Sequence, residues 1–261
     1  MTDPLFDLSG RVGIVTGGLG QLGSVYVNGL VERGMKVAVF DVAQGAVADG
    51  ARAFVVDVTD RAAVEQALRE VEKQWGAPQL LVNNAALDSP PDAPADEVGP
   101  FETYPEESLD AVLDVNVKGV VFCCQAVGAA MAREGRGSIV NISSIYGMLS
   151  PVQELYAFRR ERGETFVKPV AYSLSKSAVL NLTRYLATYW AGAGVRVNTL
   201  TLGGVRNDQA SEFLDAYAAR VPMRRMLDAR EALGAVVFLA SDASSYVTGA
   251  NLVVDGGWSA W

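Results

Sequence analysis

Tyr172-Ser173-Leu174-Ser175-Lys176 sets a phenol and an ammonium four residues apart, a spacing that a helix brings to one face. Proton transfer is the chemistry such a pair suits. A free tyrosine titrates near ~10 and is a poor base at neutral pH, and a neighbouring cation favours the phenolate. The pair gains weight because the 261 residues contain no histidine. That absence excludes Ser-His-Asp and Cys-His catalysis and every histidine-ligated metal site. A proton-transfer enzyme built on this chain must use Tyr, Lys or a carboxylate. Of nine tyrosines, only Tyr172 has lysine at i+4. Tyr156 has Arg160 at the same spacing, but in a polar stretch without a convincing helical pattern. One such pair can arise by accident, so other residues must support it.

A second group of residues points to a dinucleotide. Thr16-Gly17-Gly18-Leu19-Gly20-Gln21-Leu22-Gly23 follows the buried strand expected at 12–16 and opens a helix expected at 23–33. Glycines there let the backbone turn tightly and approach a pyrophosphate, which sits at the helix N-terminus among free amides. The next expected strand, 36–40, ends at Asp41, whose carboxylate suits both hydroxyls of an adenosine ribose. The same charge would repel a 2′-phosphate, and neither Leu19 nor Val42 offers a compensating cation, which favours NAD over NADP. Asp57, after a third strand expected at 53–56, either accepts from the adenine amino group or serves as a turn or N-cap residue.

These residues need a scaffold, and the chain supplies a repeating one. Further strands are expected at 79–82, 138–142, 195–200 and 252–255, with helices at 60–75, 105–133 and 170–190. Apolar strands alternating with helices imply an α/β fold: a single Rossmann-type, doubly wound, seven-stranded parallel sheet with helices on both faces, spanning 1–261 as one domain. Such sheets bind ligands beyond the carboxyl ends of their strands. Two stretches break the rhythm and could border that edge: a proline- and acid-rich loop at 87–105, holding Pro90 and Pro91, and a polar insertion at 149–169 with Arg159, Arg160, Glu161, Arg162 and Glu164. The insertion's arginines either form a solvated face or include one that pairs a carboxylate or phosphate on the substrate.

Composition narrows the partners. Half of the chain is apolar, and 22 basic against 30 acidic residues give a net charge of −8. No basic stripe is available for nucleic acid or an anionic membrane. The stretch Val120 to Ala132 is expected to be too short to span a bilayer, and Met1 to Arg11 lacks a signal peptide's apolar core. Cys123 and Cys124 are adjacent and are expected to be small buried hydrophobes rather than a disulfide or metal site. A cytoplasmic protein without a metal is the expectation.

The glycine-rich turn, Asn83-Asn84-Ala85-Ala86, Asn116, Ser143-Ser144, Tyr172 with Lys176, and Val247-Thr248-Gly249 through Asp255-Gly256-Gly257 run in this order over nearly the whole chain. Together they resemble the short-chain dehydrogenase/reductase family. The resemblance implies that Tyr172 is the general acid/base, and that Lys176 lowers its pKa and holds the nicotinamide ribose. Ser144 would orient and polarise the substrate oxygen, with Ser143 a supporting neighbour. Asn116 would keep a water in a proton relay ending at Lys176. Cofactor contacts would fall on Gly17, Gly20, Gln21, Leu22, Asp41, Asp57, Val58, Asn84, Ala85, Tyr172, Lys176, Val205 and Asn207. A homotetramer is implied as well, packed through the helices around Asn116 and Tyr172 and through the C-terminal strand, and Trp258 and Trp261 would be poor solvent-exposed residues. Without the resemblance, Asn116 would satisfy a buried backbone group, Ser144 would end its strand, and Asn83-Asn84 would be a turn.

The chain departs from the family pattern in several places. Gln21 stands where a second glycine is usual, Leu202-Gly203 replaces Pro-Gly, and Asn207 replaces a threonine. The 28-residue spacing from Ser144 to Tyr172 is long and holds the arginine cluster. That insertion, with Gly203 to Gln209, resembles bacterial members acting on sugars, sugar acids and glycan precursors, of the gluconate dehydrogenase and flagellin-glycan oxidoreductase kind. The implied reaction is reversible hydride transfer, to the B face of NAD, from a secondary alcohol on a polyol, sugar or sugar acid. A lipid-like, steroid or acyl ketone is the alternative substrate, and a non-catalytic NAD-binding protein the alternative class.

Overall fold

The computed structural model describes residues 3–89 and 93–261. Seven strands form one sheet: β1 (Val12–Thr16), β2 (Lys36–Asp41), β3 (Ala51–Val55), β4 (Leu80–Asn83), β5 (Gly137–Ser144), β6 (Val195–Leu202) and β7 (Asn251–Val254). Their order is β3-β2-β1-β4-β5-β6-β7, and every adjacent pair is parallel. The chain reverses its winding between β1 and β4, and a crevice opens there at the carboxyl ends of the strands.

Strand residues alternate between two cores, as the two-residue period demands. Ile14, Ala38, Phe40 and Leu81 join one buried cluster with Val64, Leu68 and Met131. Val15, Val37, Val39 and Leu80 join another with Tyr26, Leu30 and Val236. Each such aliphatic residue contributes about 1.5–3 kcal/mol on full burial, so the doubly apolar strands fix the sheet between its two helical layers.

The helices are α1 (Gln21–Val31), α2 (Arg61–Trp75), α3 (Glu106–Arg133), α4 (Ile145–Met148), α5 (Ala157–Glu161), α6 (Val170–Trp190), α7 (Ser211–Arg220) and α8 (Ala229–Ala240). Asp60 caps α2 by accepting from the amides of Ala62 and Ala63, and Asp228 with Glu231 forms a capping box on α8. Helix α3 contains two π-helical stretches, Asp114–Gly119 and Cys124–Gly128, and the first carries Asn116. The stretch Val120 to Ala132, expected to be too short for a bilayer, is part of this longer helix. As a 28-residue helix, α3 is long and apolar enough to cross a membrane, but half of its apolar window is buried inside the protein, where it serves as a core helix. Cys123 and Cys124 lie on it, buried and unbridged, and burial pushes the Cys124 thiol up to about 12.

The two irregular stretches are more ordered than their composition suggests. Pro90 and Pro91 lie outside the described residues, but 3-10 turns form at Ala95–Val98 and Phe101–Thr103. The insertion folds into a 3-10 turn, Gln153–Tyr156, followed by α5. With α7 and the C-terminal segment it builds a third apolar cluster of Ile145, Leu155, Tyr217, Val221, Met226 and Trp258. Trp258 is thus buried within its own chain against Tyr217, while Trp261 is exposed.

Candidate active site

The glycine-rich turn is shaped by its contacts with the end of β4. Gly17 has φ +61°, and a Cβ there would lie 2.8 Å from the Ala85 Cα; one at Gly23 would lie 2.0 Å from the Gly17 carbonyl oxygen. Neither position accepts a side chain. Thr16 Oγ1 accepts from the amides of Asn84 and Ala85, both at 3.0 Å, and Asn84 Nδ2 donates to the Thr16 and Gly17 carbonyls at 3.1 Å. Asn84 and Ala85 therefore clamp the turn against β4 instead of forming a plain bend. Asn83 points into the core and donates to Asn141 Oδ1 at 2.8 Å.

Beside this clamp lies a cavity of about 830 Å³ lined by Gly17, Gly20, Asp41, Asp57, Val58 and Asn84, among others. Asp41 is held rigidly at the end of β2, accepting from the Leu19 amide on one oxygen and the Ala43 amide on the other, each at 3.0 Å. Asp57 accepts from the Thr59 amide and hydroxyl at 2.8 Å, which is a turn contact, and it also faces the cavity. The lining carries Asp41, Asp57 and Asp114 and, among the described residues, no Lys or Arg.

A second cavity of about 640 Å³ adjoins the first through Gln21. It holds Leu22, Ser144, Tyr172, Val205 and Asn207. Gln21 spans its rim, with Nε2 donating to the Arg206 carbonyl at 2.7 Å, so the residue in place of glycine ties the turn to the segment after β6. In that segment Gln209 Nε2 donates to the Val205 carbonyl at 2.9 Å, and Gln209 Oε1 accepts from the Asn207 amide at 2.6 Å.

Ser144 ends β5 and caps α4, its hydroxyl accepting from the Tyr146 amide at 3.2 Å. Helix α6 carries Tyr172 and Lys176 on one face. Lys176 is 4% exposed, its Nζ lies 5.7 Å from the Tyr172 ring centroid, and it donates to the Ile142 carbonyl at 3.0 Å. Ser143 Oγ supports the same helix by donating to the Lys176 carbonyl at 2.9 Å. Fully buried Asn116 links three elements: its side chain exchanges two 2.8 Å bonds with the Leu87 backbone and donates to Ser175 Oγ at 2.9 Å. The side chain satisfies buried backbone, as the simpler expectation had it, and this bonding also fixes Asn116 beside α6.

The electrostatics differ from what the i,i+4 spacing suggests. Burial, then the Asp88 carboxylate, pushes Tyr172 up to about 12, with a side-chain interaction from Ser144 pulling it down. Lys176 is not among the groups that move it. Burial instead pushes Lys176 down to about 8. Withdrawal from water disfavours both charged forms and is the dominant influence on each residue.

A stability prediction follows. Removing a buried, unpaired ammonium should help the fold, so Lys176→Met is expected to raise Tm by about 3 °C at pH 7 while abolishing catalysis. The unfolded lysine holds its proton up to about 10.5 and the folded one only to about 8, so wild-type stability rises with pH between these values. Tyr172 acts in the opposite direction only above its ordinary value of 10. The Tm gap between variant and wild type should therefore close from pH 8 to 10, as calorimetry at several pH values can check.

Several pocket residues carry no spacing signal in the sequence. Tyr156, Phe166, Phe213 and Tyr217 face the second cavity with Asp88 and Lys168. The aromatic rings pack in tilted contacts one after another, Phe166 against Tyr156, Tyr156 against Phe213 and Phe213 against Tyr217, with centroids 4.6 to 6.0 Å apart. Of the clustered arginines, only Arg159 lines the cavity. It pairs with Glu164 at 2.6 Å and lies over Phe166, while Arg160 pairs with Glu154 and Arg162 with Glu212.

Comparison with known proteins identifies the family. A family model described as enoyl-(acyl carrier protein) reductase matches residues 21–259. The chain is 34% identical to 2-(R)-hydroxypropyl-CoM dehydrogenase of Xanthobacter autotrophicus, over 96% of this chain and 99% of the relative. It is 33% identical to D-threitol dehydrogenase of Mycolicibacterium smegmatis, over 97% and 95%. Among solved structures, a short chain dehydrogenase from Leptospira borgpetersenii with bound NAD+ superposes with TM-score 0.87 at 29% identity, covering 99% of this chain and 96% of that one. A gluconate 5-dehydrogenase from Burkholderia cenocepacia, in complex with NADP and tartrate, gives 0.85 at 29% identity, covering 99% and 98%. With the seven-stranded parallel sheet and the glycine-rich turn at its crevice, these matches over nearly full length show that the chain belongs to the short-chain dehydrogenase/reductase family, oxidoreductases acting on CH–OH groups.

Proposed function

We propose that the protein is an NAD-dependent dehydrogenase that interconverts a secondary alcohol and a ketone on a polyol, sugar or sugar-acid substrate. The observation that carries this is the junction at Gln21, where an acid-lined cavity suited to adenosine meets a second one holding Ser144 and Tyr172. The nicotinamide dinucleotide supplies the hydride acceptor. Tyr172 takes the hydroxyl proton as hydride leaves carbon, and Ser144 holds the reacting oxygen. Lys176 receives the ribose and Asn116 supports the proton path behind it. Most of this catalysis is positioning and electrostatic complementarity. Gly17, Gly20, Gln21, Leu22, Asp41, Asp57, Val58, Asn84, Ala85, Val205 and Asn207 serve the cofactor. For Val205 the carbonyl is already engaged by Gln209, so a cofactor contact through it requires that side chain to share or yield.

Gln21→Ala would release the rim tie to Arg206, and one lost hydrogen bond predicts about 5-fold weaker NADH binding by fluorescence titration. A homotetramer in the cytoplasm completes the proposal. Tyr185 and Tyr189, stacked and exposed on α6, are suited to an interface between subunits. The aromatic lining keeps an apolar ketone as the second candidate substrate. The test is NADH formation across threitol, arabinitol, gluconate, hydroxysteroids and simple secondary alcohols, with Tyr172→Phe as the blank. Turnover of polyols or sugar acids that vanishes in the blank supports the proposal. Turnover confined to steroids or apolar alcohols favours the second candidate.

A further inference from the structure

Lys168 precedes Pro169 at the start of α6, and its side chain is only 10% exposed. Its Nζ stands 5.6 Å from the Tyr172 ring centroid, about as close as Lys176. The backbone is pinned too, the Lys168 amide donating to Gln153 Oε1 at 2.9 Å. The partner of this ammonium is Asp88, on the segment after β4, with Nζ to Oδ1 at 2.6 Å. Both residues line the cavity that holds Ser144 and Tyr172. Asp88, unlike Lys168, has a side chain 59% exposed.

The charge pattern of the cavity is distinctive. In a chain of net charge −8, the charged lining residues among the described ones are Asp88, Arg159 and Lys168, two cations against one acid. Arg159 is committed to Glu164 and to the Phe166 ring. Lys168 instead depends on a carboxylate that stands inside the cavity. A shielded ammonium needs a partner, because leaving it unpaired is strongly unfavourable. An exposed carboxylate gives up little on returning to water. Exchange of Asp88 for another carboxylate therefore keeps Lys168 paired throughout, whereas a neutral polyol offers no equivalent.

We propose that Lys168 is the receptor for a carboxylate on the substrate, with Asp88 as the internal carboxylate it gives up, so that the enzyme prefers hydroxy acids to neutral polyols. This rests on the NAD-dependent alcohol dehydrogenase proposal above. It assigns specificity to Lys168 and removes it from the arginine cluster at 159–162. The geometry suits a compact acid, since a carboxylate at Lys168 lies only a few bonds from a hydroxyl at Tyr172.

The test uses two probes with the same four-carbon 2,3-diol, tartrate and threitol of matched configuration, titrated calorimetrically into the NADH-loaded protein. Wild type is expected to bind tartrate more tightly. Lys168→Met should weaken tartrate about 30-fold and threitol less than about 3-fold, the size of one charge-assisted hydrogen bond. Lys168→Arg should restore most of the preference, and Asp88→Asn should strengthen tartrate by removing its competitor. Threitol binding as tightly as tartrate to wild type overturns the proposal, and so does a loss in Lys168→Met that falls equally on both probes. Failure to load NADH at all would instead count against the underlying dehydrogenase proposal.

Discussion

Tyr172→Phe is expected to lower kcat for alcohol oxidation about 10³-fold while leaving NADH affinity within about 2-fold, because general acid/base catalysis is worth roughly 10²–10⁴. The substitution keeps the ring and its packing and removes only the group that exchanges a proton. The neighbouring groups are poorly placed to take over, Lys168 and Asp88 being paired with each other. The chain has no histidine, Lys176 is engaged with the Ile142 carbonyl, and the Ser144 hydroxyl is a far weaker base than a phenolate. The pH profile gives an independent check. With Tyr172 pushed up to about 12, the phenolate fraction grows tenfold per pH unit across the neutral and mildly alkaline range. Oxidation by wild type should therefore accelerate with pH from 7 to 10 while ketone reduction stays nearly flat, because the phenol remains almost fully protonated up to pH 10, and residual oxidation by the Phe variant should lose the slope. A variant that retained a tenth of the activity, or kept the pH slope, would remove Tyr172 from the chemistry.

The residues that the sequence exposed and those it hid differ for physical reasons. Tyr172 with Lys176, the glycine-rich turn and Asp41 were legible because each depends on local spacing at a strand or helix end. The bounds of α6 matched expectation because Pro169 stops the chain from extending the helix backward. By contrast, α7 and α8 went unread, although Asp228 and Glu231 form a capping box that marks the start of α8. The π stretches around Asn116 left no trace, because a one-residue shift in hydrogen bonding does not alter an apolar pattern. The insertion read as polar because its charges are close in sequence. In the fold Arg159 and Arg160 pair with Glu164 and Glu154 of the same insertion and Arg162 reaches Glu212 on α7, while Tyr156 and Phe166, outside the charged run, face the cavity beside Arg159. Lys168 stands four residues before Tyr172, the mirror of Lys176, yet Pro169 breaks the helical phase that would make the spacing meaningful. The depression of Lys176 was hidden for a different reason: burial is set by the whole sheet and cannot be inferred from a neighbour four residues away.

NAD+ is expected to be preferred over NADP+ by at least about 10³ in kcat/KM, and Asp41 is the residue that sets this ratio. A carboxylate about 4 Å from a phosphate oxygen costs roughly 4 kcal/mol per charge pair at the effective dielectric of a protein surface, and a 2′-phosphate carries nearly two charges. A mobile aspartate could swing away from that repulsion. Asp41 cannot, because the Leu19 and Ala43 amides hold its two oxygens from different segments. Relatives of this fold have been crystallised with either cofactor, NAD+ in one and NADP in the other, so the sheet itself imposes no choice. The proposed determinant is the side chain at the end of β2. Asp41→Asn should keep one of the two amide contacts through its single carbonyl oxygen and lose the charge, reducing the preference to about 10-fold or less. Adding a cation should then reverse it: Val42 is 68% exposed at the cavity rim, and the double variant Asp41→Ser/Val42→Arg supplies the guanidinium that a 2′-phosphate needs. Steady-state kinetics with both cofactors decide the matter. If wild type uses NADP+ within 10-fold of NAD+, Asp41 does not face the ribose, and the adenosine must lie elsewhere in the acid-lined cavity.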